Sequence, residues 1–219
     1  MYVFNPRGDI CSILKILKEG KVIVVKCLDP SGLVLVVKHS RHYHKELSIY
    51  RKLKCMRIYE GYTISLNGQV YPVIGMEELA PLSDNENLTL LGCQVIDQLK
   101  PLHRFCVHSG IKPDNILKRR TDYGVEYVLM DFGSVSDIES KQKGWYYRRS
   151  WPVGFSSQKR KEKNQVTNKY HDFVELGNTL MQLSSNKSEY MKMKKFRDMA
   201  LNERSSHELK EYLKSLYTL

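Results

Sequence analysis

The hydrophobic and polar positions in the first 76 residues follow the pattern of short β-strands with one helix among them. Short runs of apolar, largely β-branched residues predict three strands, at residues 13–17, 21–27 and 33–37. Residues 43–53 instead carry apolar side chains three and four positions apart, which predicts a helix. Further on, Asn67-Gly68 predicts a hairpin turn between strands at residues 58–65 and 70–76.

The later part of the chain follows a helical pattern. Apolar residues at intervals of three and four predict a long amphipathic helix over residues 88–102. Residues 188–219 predict one or two further short helices. The segment before the long helix is polar and turn-rich, so we place a lobe boundary there. We therefore expect one domain with two lobes, residues 1–79 with the strands and residues 80–219 with most of the helices.

Composition and charge exclude several classes of protein. The chain has 219 residues, of which 42% are hydrophobic and 10% aromatic, too many for a disordered protein. It contains no apolar run of about 18 residues, so we expect no membrane span, and its first residues do not resemble a secretory signal. Five scattered cysteines without a C-x-x-C pair favour reduced thiols and an intracellular location, in the cytoplasm or nucleus. The net charge of +11 favours acidic partners.

Two linked motifs are typical of one enzyme family. The first runs from His108 to Leu117 and reads HSGIKPDNIL; the second is Asp-Phe-Gly at residues 131–133, after a hydrophobic strand. The pattern H-x-x-[LI]-K-P-x-N-I-L, followed by D-F-G, resembles the catalytic loop and magnesium-binding loop of the protein kinases. The resemblance covers nearly the whole chain. It implies an α+β, bilobal, protein-kinase-like fold, trimmed at both ends, with a small antiparallel-sheet N-lobe and a mainly helical C-lobe. Abbreviated relatives of this kind are often viral, which would place the protein in a host cell.

The resemblance implies a magnesium and phosphate site in the second lobe. Asp131 would chelate Mg²⁺, Asn115 would hold a second ion, and Lys112 would lie near the transferred phosphate. One position departs from the family, because Gly110 stands where the family has the aspartate that positions and deprotonates the substrate hydroxyl. Asp114 follows four residues later, and in a tight loop we expect that offset to direct its carboxylate elsewhere.

The resemblance also implies an ATP site involving the first lobe. Lys38, at the end of the third strand, would pair with the ATP phosphates and with Glu46 of the following helix. Gly20 is the one glycine left where the family has a glycine-rich loop, so the grip on the nucleotide should be weaker or different. Met76 would guard the back of the adenine pocket, and the hinge would run from Glu77 to Leu79. The alternative is that Lys38 and Glu46 are ordinary solvated charges.

The activation segment of the family would occupy residues 134–158, although its usual closing glutamate is absent. Residues 141–169 form a basic stretch interleaved with aromatic residues, namely Lys141, Lys143, Trp145, Tyr146, Tyr147, Arg148, Arg149, Trp151, Lys159, Arg160, Lys161, Lys163 and Lys169. It fits a docking surface for an acidic protein, a nucleic-acid strip with aromatic stacking, or a solvated loop. Asp172, at the start of the next helix, would brace the catalytic loop, and His108 would brace Phe132.

Three functions follow from these residues. The first is an impaired kinase homologue, or pseudokinase, that binds ATP and Mg²⁺ weakly and acts through another protein. The second is a working serine/threonine protein kinase with a rearranged base. The third, of another class, is a basic nucleic-acid-binding module. Gly110 favours the first, because the loss of both the base and the positioning group leaves a slow enzyme.

Overall fold

The computed structural model describes residues 1–137 and 169–216. The chain forms two compact units, Met1–Ala80 and Pro81–Leu219. The first unit is a curled antiparallel sheet with one helix, and the described part of the second carries four helices, so the protein is of the α+β class. The predicted basic stretch, residues 141–169, lies outside the described residues except for Lys169, and so does the predicted activation segment after residue 137.

The strands of the first unit are short and mostly joined by tight turns. In chain order they are β1 (Tyr2–Phe4), β2 (Ile10–Lys18), β3 (Ile23–Leu28), β4 (Val34–His39), β5 (Ile58–Tyr59), β6 (Thr63–Leu66), β7 (Gln69–Pro72) and β8 (Ile74–Glu77). The helix α1 (Tyr43–Leu53) lies between β4 and β5. A further two-residue strand, β9 (Ala80–Pro81), spans the division between the units. The three predicted strands and the predicted helix are confirmed in type and place.

The eight strands form one sheet in the order β5-β8-β4-β3-β2-β1-β6-β7. The predicted hairpin is wrong in its extent. Its Asn67-Gly68 turn joins only β6 to β7, whereas β5 pairs with β8 at the other end of the sheet. The chain breaks away from β5 at Gly61, whose φ of +82° favours glycine, and where a Cβ would lie a tight 3.1 Å from the Cβ of Pro6. The hairpin then pairs with β1, a strand that the sequence pattern did not predict.

The two faces of this sheet differ in the side chains that they carry. One face buries an apolar cluster that includes Val25, Cys27, Leu35 and Val37, which alternate along β3 and β4. The alternate residues of the same strands, Lys26 and Lys38 among them, point to the opposite face. The helix α1 buries Glu46, Leu47, Ile49 and Tyr50, as the helical spacing predicted.

In the described part of the second unit, a β-hairpin and two short strands accompany four helices. These elements are α2 (Leu88–Leu102), β10 (Cys106–Val107), β11 (Ile116–Thr121), β12 (Gly124–Leu129), β13 (Ser136–Asp137), α3 (Tyr170–Leu183), α4 (Lys187–Leu201) and α5 (Ser206–Ser215). Single 3-10 turns follow Lys112 and Asp131. The predicted helix over residues 88–102 is confirmed, and the last stretch forms two helices, one of the two outcomes expected.

Two glycines allow the helices to pack closely. A Cβ on Gly177 of α3 would lie 2.8 Å from the Cα of Arg197 of α4, and one on Gly92 of α2 would lie 2.6 Å from Leu213 of α5. The buried helix faces meet over these contacts and form an apolar core. No helix within residues 1–137 and 169–216 is long and apolar enough to cross a membrane.

Candidate functional site

In the first unit, Lys38 and Glu46 form a buried ion pair. Lys38 belongs to β4, and Glu46 lies in the first turn of α1. The Nζ of Lys38 is 2.5 Å from Oε1 of Glu46, and the two side chains are only 5% and 0% exposed. A buried charge that loses its partner is strongly destabilising, so this pair ties α1 to the sheet. The structure brings the two predicted residues together, and their role toward phosphates stays a prediction.

The other predicted nucleotide-site residues of the first unit lie on β8, just after it, and in the β2–β3 turn. Met76 is buried in β8, and Leu79 is half-buried shortly after that strand. Glu77 ends β8, and its Oε1 accepts a hydrogen bond from the backbone N–H of Arg57 at 2.8 Å. Gly20 lies between β2 and β3 with φ of +137°, a conformation that favours glycine. One such glycine makes a turn but does not line a phosphate with successive free amides.

In the second unit, Asp172 of α3 holds the beginning of the loop at residues 108–115. Its Oδ2 accepts a hydrogen bond from the backbone N–H of His108 at 2.8 Å, and its Oδ1 accepts one from that of Ser109 at 2.9 Å. The same Oδ2 lies 2.7 Å from Nε2 of His103. Ser109 has φ of +57°, which costs a non-glycine residue roughly 1–2 kcal/mol. The fully buried Asp172 carboxylate thus stabilises a strained backbone.

Glu175 holds the same loop on the other side of Gly110. Its Oε2 accepts a hydrogen bond from the backbone N–H of Ile111 at 2.9 Å. Thr179, one turn further along α3, donates its hydroxyl to the carbonyl of Ile111 at 3.0 Å. Burial, with a further contribution from the charge of Asp172, raises the pKa of Glu175 to about 8. One face of α3 therefore fixes the backbone on both sides of Gly110.

His108 is fully buried against the Asp-Phe-Gly segment. Its ring centroid lies 5.2 Å from that of Phe132, and its Nε2 is 3.1 Å from the carbonyl oxygen of Met130. Burial lowers the pKa of His108, so we assign a neutral ring that donates from Nε2. Asp131 has φ of +67°, which is uncommon for a residue with a side chain. Strained backbone of this kind clusters at functional sites.

Gly110 leaves the centre of this loop without a side chain. The side-chain amide of Asn115 donates to the carbonyl of Gly110 at 2.8 Å. A Cβ built on Gly110 would lie 3.6 Å from Nδ1 of His108 and 3.7 Å from Nδ2 of Asn115, which are ordinary contacts. The backbone therefore has room for a Cβ at residue 110. The three atoms nearest to that Cβ belong to His108 and Asn115, so none of them is a carboxylate oxygen.

Asp114 and Lys112 lie together at the exposed side of the loop. The Oδ2 of Asp114 is 3.8 Å from Nζ of Lys112, and the Asp114 side chain is 85% exposed. The Lys112 side chain is 44% exposed. The Asp114 carboxylate thus faces solvent beside a lysine, and its direction relative to the position of Gly110 stays a prediction.

Asn115 and Asp131 are the predicted metal ligands. An amide oxygen and a carboxylate, completed by phosphate oxygens and water, make up a donor set that Mg²⁺ takes. The amide nitrogen of Asn115 is committed to Gly110, which orients the side chain of a largely buried residue. Among residues 1–137 and 169–216 there is no cluster of three or more histidine, cysteine or acidic side chains that could hold a metal by itself.

Sequence reasoning missed several residues that hold this loop. Glu175 and His103 were not singled out, nor was the contact between the hydroxyls of Ser109 and Ser136 at 3.1 Å. That contact accompanies the pairing of β10 with β13, which joins the start of the loop to the chain after Asp-Phe-Gly. A signal for Glu175 was available, since it lies among apolar residues one helical turn after Asp172.

Comparison with known proteins assigns no family. No protein-family model matches the chain, and no curated protein matches it. The resemblance to protein kinases rests on the sequence motifs, so the function is inferred from the chemistry of the residues described above.

Proposed function

We propose that this protein is a protein-kinase-like protein that keeps groups for binding ATP and Mg²⁺ but lacks the carboxylate that aims the acceptor hydroxyl. It acts chiefly by engaging another protein, and any phosphoryl transfer is slow. In this proposal residues 1–79 serve as the N-lobe and residues 80–219 as the C-lobe of one bilobal domain.

Four retained features support nucleotide and metal binding. In the first unit, Lys38 is held by Glu46 in a buried pair. In the second unit, Asp172 fixes the loop backbone, and Asn115 and Asp131 offer oxygen ligands. Phosphoryl transfer needs little more from a protein than bound metal, positive charge near the phosphates and an oriented hydroxyl. The first two of these requirements have candidate residues here.

The observation that carries the proposal is Gly110. It lies between backbone groups held by Asp172 and Glu175, so the loop is built, yet its central position has no side chain. No carboxylate oxygen is among the three atoms nearest to a Cβ at that position. General-base catalysis contributes roughly 10²–10⁴-fold, and orientation of the acceptor adds a comparable factor. A chain without both functions is expected to transfer phosphate far more slowly than an ordinary kinase.

The proposed partner is an acidic protein. The formal net charge of +11 over 219 residues favours association with negatively charged surfaces. Charge complementarity of this kind raises association rates and falls with ionic strength. Binding to the partner should therefore weaken in high salt.

The test restores the missing carboxylate. Gly110→Asp is expected to raise γ-phosphate transfer to a generic basic or acidic protein substrate by about 10²-fold or more, because the acceptor hydroxyl regains its base. Gly110→Asn is the matched control, since it adds a side chain of the same shape without a base. ATP–Mg binding is measured in parallel by thermal shift, with Lys38→Ala and Asp131→Ala as the variants expected to lose it. Equal transfer by Gly110→Asp and Gly110→Asn would refute the assigned role of this position.

One observation favours a second candidate, a working kinase with a rearranged base. Asp114 presents an exposed carboxylate 3.8 Å from Lys112 within the same loop. If this carboxylate acts as the base, the unaltered chain transfers phosphate at ordinary rates and Asp114→Asn abolishes the transfer. If the first proposal holds, Asp114→Asn has little effect on a rate that is already low.

A further inference from the structure

The sheet face that bears Lys38 carries three more lysines. Across β2, β3 and β4, Lys18, Val24 and Lys38 pair directly and form one row. The next row on the same face consists of Lys15, Lys26 and Val36. Directly paired residues in a sheet point to the same side, and so do residues two positions apart on one strand. Lys15, Lys18, Lys26 and Lys38 therefore share one face.

Two β-bulges bring Lys15 and Lys18 onto that face together. In a regular strand, residues three positions apart point to opposite sides. Here β2 reads Ile-Leu-Lys twice, at residues 13–15 and 16–18, and its register against β3 shifts once within each triplet. Each shift inserts one extra residue, so both lysines return to the Lys38 face. Bulges re-aim side chains in this way and are over-represented beside active sites.

The charges on this face are only partly compensated. Lys38 pairs with Glu46, and Lys26 pairs with Glu78 at 2.6 Å. Lys15 lies directly opposite Lys26, and like charges in that position are destabilising. Among the described residues, no carboxylate forms an ion pair with Lys15 or Lys18, and both side chains are exposed. Lys15 and Lys18 are therefore two cations without an ion-pair partner among the described residues, on β2 and on the same face as Lys38.

We propose that Lys15 and Lys18 bind the phosphates of the nucleotide, in place of the backbone amides that a glycine-rich loop would supply. The inference rests on the proposed nucleotide-binding function and assigns new residues to it. The ligand is a nucleoside triphosphate whose phosphates lie along the row Lys18-Val24-Lys38. Gly20 forms the turn that follows Lys18, and lysine side chains provide charge there without needing a flexible loop of bare backbone.

A purely structural role for these lysines makes a different prediction. The strand β1 pairs only with Ile10 and Cys11 of β2, so from Ser12 onward one edge of β2 has no strand partner among the described residues. Lysines and bulges on an exposed edge prevent pairing with other chains. If that were their whole role, loss of the lysines would promote aggregation and leave nucleotide affinity unchanged.

The test compares two double variants of the full chain by isothermal titration calorimetry at low ionic strength. Lys15→Gln/Lys18→Gln removes the proposed phosphate ligands. Lys187→Gln/Lys192→Gln removes the same charge from exposed positions of α4 and is the matched control. The titrants are ATP–Mg, adenosine and inorganic tripolyphosphate, which separate a nucleotide site from a general anion site. Light scattering of each variant reports aggregation.

We expect Lys15→Gln/Lys18→Gln to weaken ATP–Mg binding roughly tenfold, the size expected for two exposed charge contacts, and the effect to shrink with added salt. Adenosine binding and the control variant should be unaffected. Equal ATP affinity in all three proteins would overturn this inference and leave the proposed function standing. Tripolyphosphate binding as tight as that of ATP, and lysine-dependent, would keep the phosphate surface and overturn the nucleotide function. An unaltered chain that binds none of the three ligands would overturn both.

Discussion

The buried carboxyl of Glu175 predicts an unusual dependence of stability on pH. It accepts a hydrogen bond from the N–H of Ile111 beside Gly110, and burial raises its pKa from 4.5 to about 8. Glu175→Gln replaces the protonated carboxyl by an amide of nearly the same shape. The amide oxygen still accepts from Ile111, whereas the titration is gone. The variant therefore removes the effect of protonation and keeps the hydrogen bond with Ile111.

The sign of the effect follows from the direction of the shift. Between pH 4.5 and about 8 the folded chain keeps a proton on Glu175 that the unfolded chain has lost. The free energy of unfolding therefore falls as the pH rises through this window, by at most about 1.4 kcal/mol per pH unit, and levels off above it. His108, whose pKa burial lowers, acts in the opposite direction below its ordinary value of 6.5. The cleanest window is thus pH 6.5 to 8, where the loss reaches about 2 kcal/mol.

The measurement is urea unfolding followed by circular dichroism at 222 nm, which reports the helices, at half-unit steps across that window. We expect the unaltered protein to lose stability as the pH rises and Glu175→Gln to show a flatter profile. Glu203→Gln, at an exposed position after α4, is the control and should keep the slope of the unaltered protein. Parallel profiles for Glu175→Gln and the unaltered protein would refute the account of this carboxyl.

Two further substitutions test the contacts that hold the candidate site. Asp172→Asn puts an N–H₂ group where the carboxylate now accepts hydrogen bonds from His108 and Ser109. We expect it to lower the free energy of unfolding by about 2–4 kcal/mol and to speed amide exchange at residues 108 and 109, whereas the surface control Asp198→Asn should cost less than about 0.5 kcal/mol. Lys38→Met leaves the Glu46 carboxylate buried without its cation and should lower the free energy of unfolding by about 3–5 kcal/mol. The double variant Lys38→Met/Glu46→Leu should recover much of that stability, and a double variant as unstable as Lys38→Met would contradict this explanation.

The sequence predicted the elements whose signal is local and long. The helices α1 and α2 begin and end at the residues expected, because a helical period repeated over 11 and 15 residues leaves little ambiguity about the buried face. The three-residue strand β1 is too short to carry a period of its own. The hairpin was predicted with the wrong extent because the alternation of apolar and polar residues does not reveal which distant strand β5 or β6 pairs with.

The residues of the candidate site also divide into those that the sequence predicted and those that it did not. Motif spacing singled out Lys38 and Glu46, which meet in the fold, and Asp172, which holds the loop. Glu175 was missed because an acidic residue in a helix is usually solvated, and its burial depends on how α3 packs beneath residue 111. Lys15 and Lys18 share a face because of two bulges. These bulges are defined by the register of β2 against β3, so the Ile-Leu-Lys repeat alone does not predict them.

The most direct test of the central claim is the rate of γ-phosphate transfer by the unaltered chain at saturating ATP–Mg, with binding of the nucleotide shown in the same preparation. A chain that grasps the nucleotide without a carboxylate to aim the acceptor should bind ATP and turn over at least about 10²-fold more slowly than the roughly 1–100 s⁻¹ typical of protein kinases. Turnover within that ordinary range would contradict the claim that the glycine at position 110 disables the site.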